Sequence, residues 1–62
     1  MIVNETYAVV NEHGIAKDMC VLLECRYVAT WVLVRSLLNG CIYETPFFTI
    51  REPQRTESVL HI

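Results

Sequence analysis

At 62 residues the chain has room for one domain, and a domain of that size hides only about 60% of the surface its unfolded form exposes. Even so, 53% of its residues are hydrophobic, and five basic against seven acidic side chains leave a formal charge of −2. Lys17, Arg26, Arg35, Arg51 and Arg55 are scattered singly, which argues against nucleic acid as a partner, because phosphate binding draws on clustered cations.

The apolar stretch from Met19 to Leu38 is broken by Glu24, Arg26 and Arg35. Its uncharged run, Tyr27 to Val34, is far shorter than the roughly 18 residues a membrane span needs, so no membrane partner is expected. Three cysteines, Cys20, Cys25 and Cys41, do not pair off as the even sets of small disulfide scaffolds do. They read as reduced, partly buried thiols. With no basic leader in Met1-Ile2-Val3-Asn4-Glu5, the expected location is the cytoplasm.

In chain order, Ile2–Val10 has strand-forming residues and no helix cap, and Asn11-Glu12-His13-Gly14 is a turn. Ile15–Asp18 is ambiguous and reads as the tip of a long loop. Met19–Val28 alternates as a strand. It sets Met19, Val21, Leu23, Cys25 and Tyr27 on an inner face and Cys20, Leu22, Glu24 and Arg26 on the other. Trp31–Ser36 is a third strand rich in β-branched and aromatic residues, and Leu37-Leu38 extends it. Asn39-Gly40 is a hairpin signal in which both turn positions favour φ > 0. Cys41–Thr45 returns as the fourth strand. Pro46-Phe47-Phe48-Thr49 fits one 3₁₀ turn, and Ile50–Glu52 is a short fifth strand stopped by Pro53. Residues 54–62 form a tail, polar at first and then apolar in Val59, Leu60 and Ile62, which are candidates for an added edge strand or for self-association.

Five short strands with a long first connection and a 3₁₀ turn before the last one resemble an SH3-like barrel. The resemblance rests on Trp31-Val32-Leu33-Val34, on Asn39-Gly40, and on Pro46-Phe47-Phe48 followed by Ile50. The expected fold is therefore all-β, a five-stranded SH3-like barrel over residues 1–53. Closure would also remove exposed strand edges. Within that class, Gly40–Glu52 is similar to the matching stretch of plasmid-borne type II dihydrofolate reductases in the spacing of Gly40, Pro46 and Ile50. That family reads substrate and cofactor through Val-Gln-Ile-Tyr before the proline, where this chain has Ile42-Tyr43-Glu44-Thr45. The resemblance implies the fold and a tendency to oligomerise, and does not extend to the activity or to a cofactor.

No residue set points to catalysis. His13 and His61 are not placed near a thiol by any local spacing. Cys20 and Cys25 are five apart and would point to opposite faces of a regular strand, and no zinc-type Cys-x₂-Cys exists. Glu5, Glu12, Asp18, Glu24, Glu44, Glu52 and Glu57 read as solvated positions. The two glycines, Gly14 and Gly40, make no phosphate loop. What remains is recognition: Trp31, Tyr7, Tyr27 and Tyr43, with Arg35 on the face of Trp31, are candidates for an aromatic groove, and Glu12 and Asp18 could supply acidic loop residues beside it. The expectation is a non-enzymatic, self-associating protein-interaction module whose partner is a protein or another copy of the chain, and whose brevity suits a gene of a mobile element or phage. Two alternatives are an oligomeric small-molecule binder or enzyme with Arg35, Tyr43, Glu44 and Thr45 at a symmetry axis, and an RNA- or ribosome-associated KOW-like module.

Overall fold

In the computed structural model, residues 1–26 and 30–54 are described. Their β-branched and aromatic runs form five strands, β1 (Thr6–Val10), β2 (Ala16–Cys25), β3 (Trp31–Ser36), β4 (Ile42–Pro46) and β5 (Ile50–Arg51), with a 3₁₀ turn at Phe47–Thr49. The strands make one sheet in the order β4-β3-β2-β1-β5, and every neighbouring pair is antiparallel. No helix among the described residues is long and apolar enough to cross a membrane. Tyr27, Val59, Leu60 and Ile62 lie outside the described residues.

The core sits on one face of this sheet. Tyr7, Val9, Cys20, Leu22, Val32, Val34 and Ile50 form its buried cluster, with Cys25 and Tyr43 packed against it. Leu22, on central strand β2, is fully buried, which is worth about 1.5–3 kcal/mol relative to exposure. The expected inner set on β2 is thus corrected in part: Cys20 and Leu22 carry the main core face of that strand, while Met19 of the expected set is buried beside Ala8 on the other face and Cys25 packs against the cluster.

A β-bulge explains how β2 manages this. Leu22 lies opposite Val34, Glu24 opposite Leu33 and Cys25 opposite Val32, so Leu23 is the extra residue. In strict alternation Glu24 would follow Cys20 and Leu22 into the core. The inserted residue reverses the phase, sends Glu24 outward and brings Cys25 to the core side. Cys20 and Cys25 therefore share a face, contrary to the regular-strand expectation. A second irregularity falls opposite Val9 and Val10, where Asp18 and Ala16 are paired and Lys17 is skipped.

The ends of the elements also differ from expectation for local reasons. β1 begins at Thr6 because Asn4 adopts φ 72, the left-handed region that Asn tolerates. The preceding segment still holds the sheet: Asn4 N–H donates to the Leu22 carbonyl at 2.7 Å, and Leu22 N–H to the Glu5 carbonyl at 3.0 Å. The first connection is a tight turn and not a long loop. Asn11 Oδ1 accepts from the N–H groups of His13 at 2.8 Å and Ile15 at 3.0 Å, an Asx-type closure, so Ala16–Asp18 is already strand.

The β3–β4 hairpin is wider than a two-residue turn. Ser36 N–H donates to the Cys41 carbonyl at 2.8 Å and Gly40 N–H to the Ser36 carbonyl at 2.9 Å, so Leu37 and Leu38 belong to the turn. Of the Asn39-Gly40 pair, only Gly40 has positive φ, 76. The Asn39 side chain closes the turn differently, accepting from Cys41 N–H at 2.9 Å. The fifth strand ends at Arg51, one residue before the expected Glu52.

Candidate functional site

Two surfaces carry the polar and aromatic residues, one on each face of the β2–β3–β4 sheet. Alternation along β3 directs Val32, Val34 and Ser36 to the core face and Trp31, Leu33 and Arg35 outward. On β4 the outward residues Pro46, Glu44 and Ile42 stand opposite Trp31, Leu33 and Arg35. Trp31 is 45% exposed and Ile42 57% exposed, so this outer face keeps a half-open aromatic at one end and an open aliphatic at the other. Between them, Arg26 lies 3.5 Å from Glu24 and 3.3 Å from Glu44, an exposed chain of charge that contributes little stability. Phe47 and Phe48 follow Pro46. Both are exposed, and their rings meet edge to face with centroids 5.9 Å apart.

The opposite face ends in a polar cluster. Asp18 takes the inward direction of Cys20 and Leu22. Its Oδ1 accepts from Ser36 Oγ at 2.9 Å and from its neighbour Met19 N–H at 2.7 Å, and its Oδ2 accepts from the Tyr43 hydroxyl at 2.7 Å. Ser36 Oγ in turn accepts from the N–H groups of Leu38 at 3.1 Å and Asn39 at 3.3 Å. One carboxylate thus ties the start of β2 to β3, to the hairpin turn and to β4. Burial, together with the hydrogen bond to Asp18 and its charge, pushes the Tyr43 hydroxyl far above the usual tyrosine range. Asp18, Ser36, Leu38, Asn39, Tyr43 and Lys17 line a shallow depression of about 310 Å³. Every polar group in the Asp18–Ser36–Tyr43 set already has a partner, so the cluster is a brace at the end of the core. Reading Asp18 as a solvated carboxylate or an acidic loop residue is corrected accordingly. The signal that could have found it is its phase with Cys20 and Leu22.

Among its described members, Trp31, Tyr7, Tyr43 and Arg35, the expected aromatic groove is not assembled as a unit. Trp31 and Arg35 share the outer face. Tyr7 belongs to the buried cluster, where its hydroxyl accepts from Ile2 N–H at 2.7 Å, and Tyr43 faces inward to Asp18. Trp31 is neither core nor plug, because nearly half of it meets solvent. The other suggested lining diverges too. Arg35 and Glu44 point outward, whereas Tyr43 and Thr45 point inward, and the Thr45 hydroxyl lies 2.7 Å from that of Thr49.

The thiols are free: Cys20 buried, Cys25 half-buried and Cys41 exposed, the last against the expectation of partial burial. Burial, and then the charge of Asp18, push the Cys20 thiol up to about 11, so it is protonated and unreactive at neutral pH. Among the described residues no three His, Cys, Asp or Glu side chains gather as a metal site. His13 sits on the exposed first turn, 3.6 Å from Glu12. No family model, curated protein or solved structure matches this chain.

Proposed function

We propose that this chain is a small non-enzymatic protein-interaction module, SH3-like in its strand arrangement, that self-associates on the β3–β4 side of its sheet, where the outer face is apolar. The strand order β4-β3-β2-β1-β5 with a 3₁₀ turn ahead of β5 supports the SH3-like reading. The observation that carries the functional reading is the solvent-facing apolar row formed by Trp31, Leu33 and Ile42, continued past Pro46 by Phe47 and Phe48. Aromatic side chains on such a row, with an arginine at its margin, are the residue types that dominate binding hot spots. Exposed apolar side chains gathered on one face of so small a domain, here divided by the Arg26–Glu44 pair, are stabilised when a partner covers them.

The test is sedimentation equilibrium through the micromolar range, with Trp31, the single tryptophan, as a fluorescence probe. The proposal expects a species heavier than the 7.2 kDa chain as concentration rises, with a blue shift of Trp31 emission only where the partner also covers the outer face. A 7.2 kDa species at every concentration, with an unchanged emission maximum, removes self-association.

A further inference from the structure

We infer that the partner is a second copy of the chain, joined edge to edge through β4 in one register centred on Tyr43. This rests on the self-association proposed above and adds its geometry.

Among the described residues the sheet has two edges, β4 and β5. β5 has two residues, whereas β4 has five, so β4 offers the longer open ladder. Its directions follow from the hairpin. Hydrogen-bonded pairs alternate down an antiparallel ladder. Ser36 N–H donates to the Cys41 carbonyl and, farther along, Phe47 N–H donates to the Thr30 carbonyl, both at 2.8 Å. With Val34 opposite Tyr43 and Val32 opposite Thr45, the main-chain groups of Tyr43 and Thr45 face β3. Those of Ile42 and Glu44 therefore face the open edge. Pro46 has no N–H and ends the ladder.

Three antiparallel registers bring such an edge against its own copy. Glu44 opposite Glu44 juxtaposes two carboxylates and sets Ile42 against Pro46, which cannot donate. Ile42 opposite Ile42 sets Glu44 against Gly40, whose N–H is already given to the Ser36 carbonyl. The remaining register pairs Ile42 of each copy with Glu44 of the other. It forms four main-chain hydrogen bonds around a two-fold axis at Tyr43. It also turns Arg35, which has no ion pair among the described residues, toward Glu44 of the second copy. Their main chains are then two strand spacings apart, about 9.6 Å, a gap that two long side chains span across Ile42. The apolar rows of the two copies then lie side by side on one outer face, which edge pairing itself leaves open. Because the pairing consumes the longer edge of each copy and stops at Pro46, it closes as a dimer.

Total chemical synthesis gives the decisive variant: N-methylation of Ile42, which deletes one outward N–H and leaves every side chain intact. The expected result is an unmodified protein that sediments as a dimer, and an N-methyl-Ile42 protein with the same far-UV circular dichroism whose dimerisation is weakened at least about tenfold. Arg35→Glu should likewise weaken the dimer by about tenfold, and Arg35→Glu with Glu44→Arg should recover part of the loss, the new arginine also meeting Arg26 of its own copy. The charge pair decides the matter if the methylated chain loses its sheet spectrum. An N-methyl-Ile42 protein that is folded and dimerises like the unmodified one overturns edge pairing while leaving self-association in place. Assemblies that grow beyond a dimer with concentration also overturn it. A monomeric unmodified protein removes the self-association on which the pairing rests.

Discussion

Replacing Asp18 with alanine removes, in one step, the acceptor for the Ser36 hydroxyl, the Tyr43 hydroxyl and the Met19 N–H. The Ser36 hydroxyl is the costliest loss. That residue is 2% exposed, its oxygen accepts from two N–H groups, and its proton is given to Asp18 Oδ1, so the substitution takes away the acceptor of a buried donor. A buried donor left without an acceptor costs about 1–3 kcal/mol. Tyr43 is only half-buried and can turn to water, at about 0.5–1.5 kcal/mol. The substitution should therefore remove about 2–4 kcal/mol from a domain whose total stability is about 3–9 kcal/mol. Asp18→Asn keeps one acceptor toward Ser36 and loses the charge, and should cost about 1–2 kcal/mol. Urea unfolding followed by far-UV circular dichroism measures both, and a double-mutant cycle with Tyr43→Phe should return a coupling near ~1 kcal/mol. An Asp18→Ala protein within about 0.5 kcal/mol of the unsubstituted chain, or an Asn variant less stable than the Ala variant, would refute the bracing role.

Alkali should destabilise the fold from about pH 9, the ordinary thiol value. The Cys20 thiol and the Tyr43 hydroxyl are both raised in the folded chain, so the native state holds those protons more tightly than the unfolded one. The contribution of Cys20 is whole below pH 9.0 and is lost as pH rises toward about 11, and that of Tyr43 fades at still higher pH. Urea midpoints at stepped pH should show the decline, flattened in part by Cys20→Ala, while a midpoint constant beyond pH 11 would contradict the burial of that thiol. Asp18→Asn should let the Tyr43 phenolate form at lower pH, seen by ultraviolet difference absorbance. Deleting Leu23 should keep the sheet, because Leu22 is then followed directly by Glu24 and regular alternation leaves Glu24 outward and Cys25 inward, opposite Leu33 and Val32 as before; loss of the sheet spectrum in the deletion but not in Leu23→Ala would contradict the bulge. Gly40→Ala meets nothing within 4 Å and has only its φ of 76 to oppose it, so its cost should be about 1–2 kcal/mol, with Gly40→Asn milder in the same unfolding assay.

The parts of this fold legible in the sequence are those decided within a few residues, and the parts missed are those decided by a neighbouring strand. Trp31–Ser36 alternates cleanly between β-branched and outward residues, and Pro46 fixes the entry to the 3₁₀ turn, so both stand where expected. β2 offers no such guide. Met19 to Leu23 is apolar at every position, and either phase satisfies a hydrophobicity pattern. The phase is chosen by partners far along the chain. Asp18 finds hydroxyls on Ser36 and Tyr43, while Glu24 must stay wet beside Arg26, and only a bulge at Leu23 allows both. The same ambiguity accounts for the aromatic residues. Tyr7 and Tyr43 carry hydroxyls that find partners at the margins of the core, so they turn inward. Trp31 has the parity opposite to Val32 and Val34, and the core is already filled by aliphatic side chains. The apolar surplus read from composition is therefore displaced to the outer face of β3 and β4, where Trp31, Leu33 and Ile42 lie beside the edge whose outward main-chain groups, unpaired among the described residues, belong to Ile42 and Glu44. A partner that pairs with β4 satisfies that edge's main chain and sets a second apolar row beside the first, so the edge is covered by pairing and the enlarged outer face stays available for a further contact.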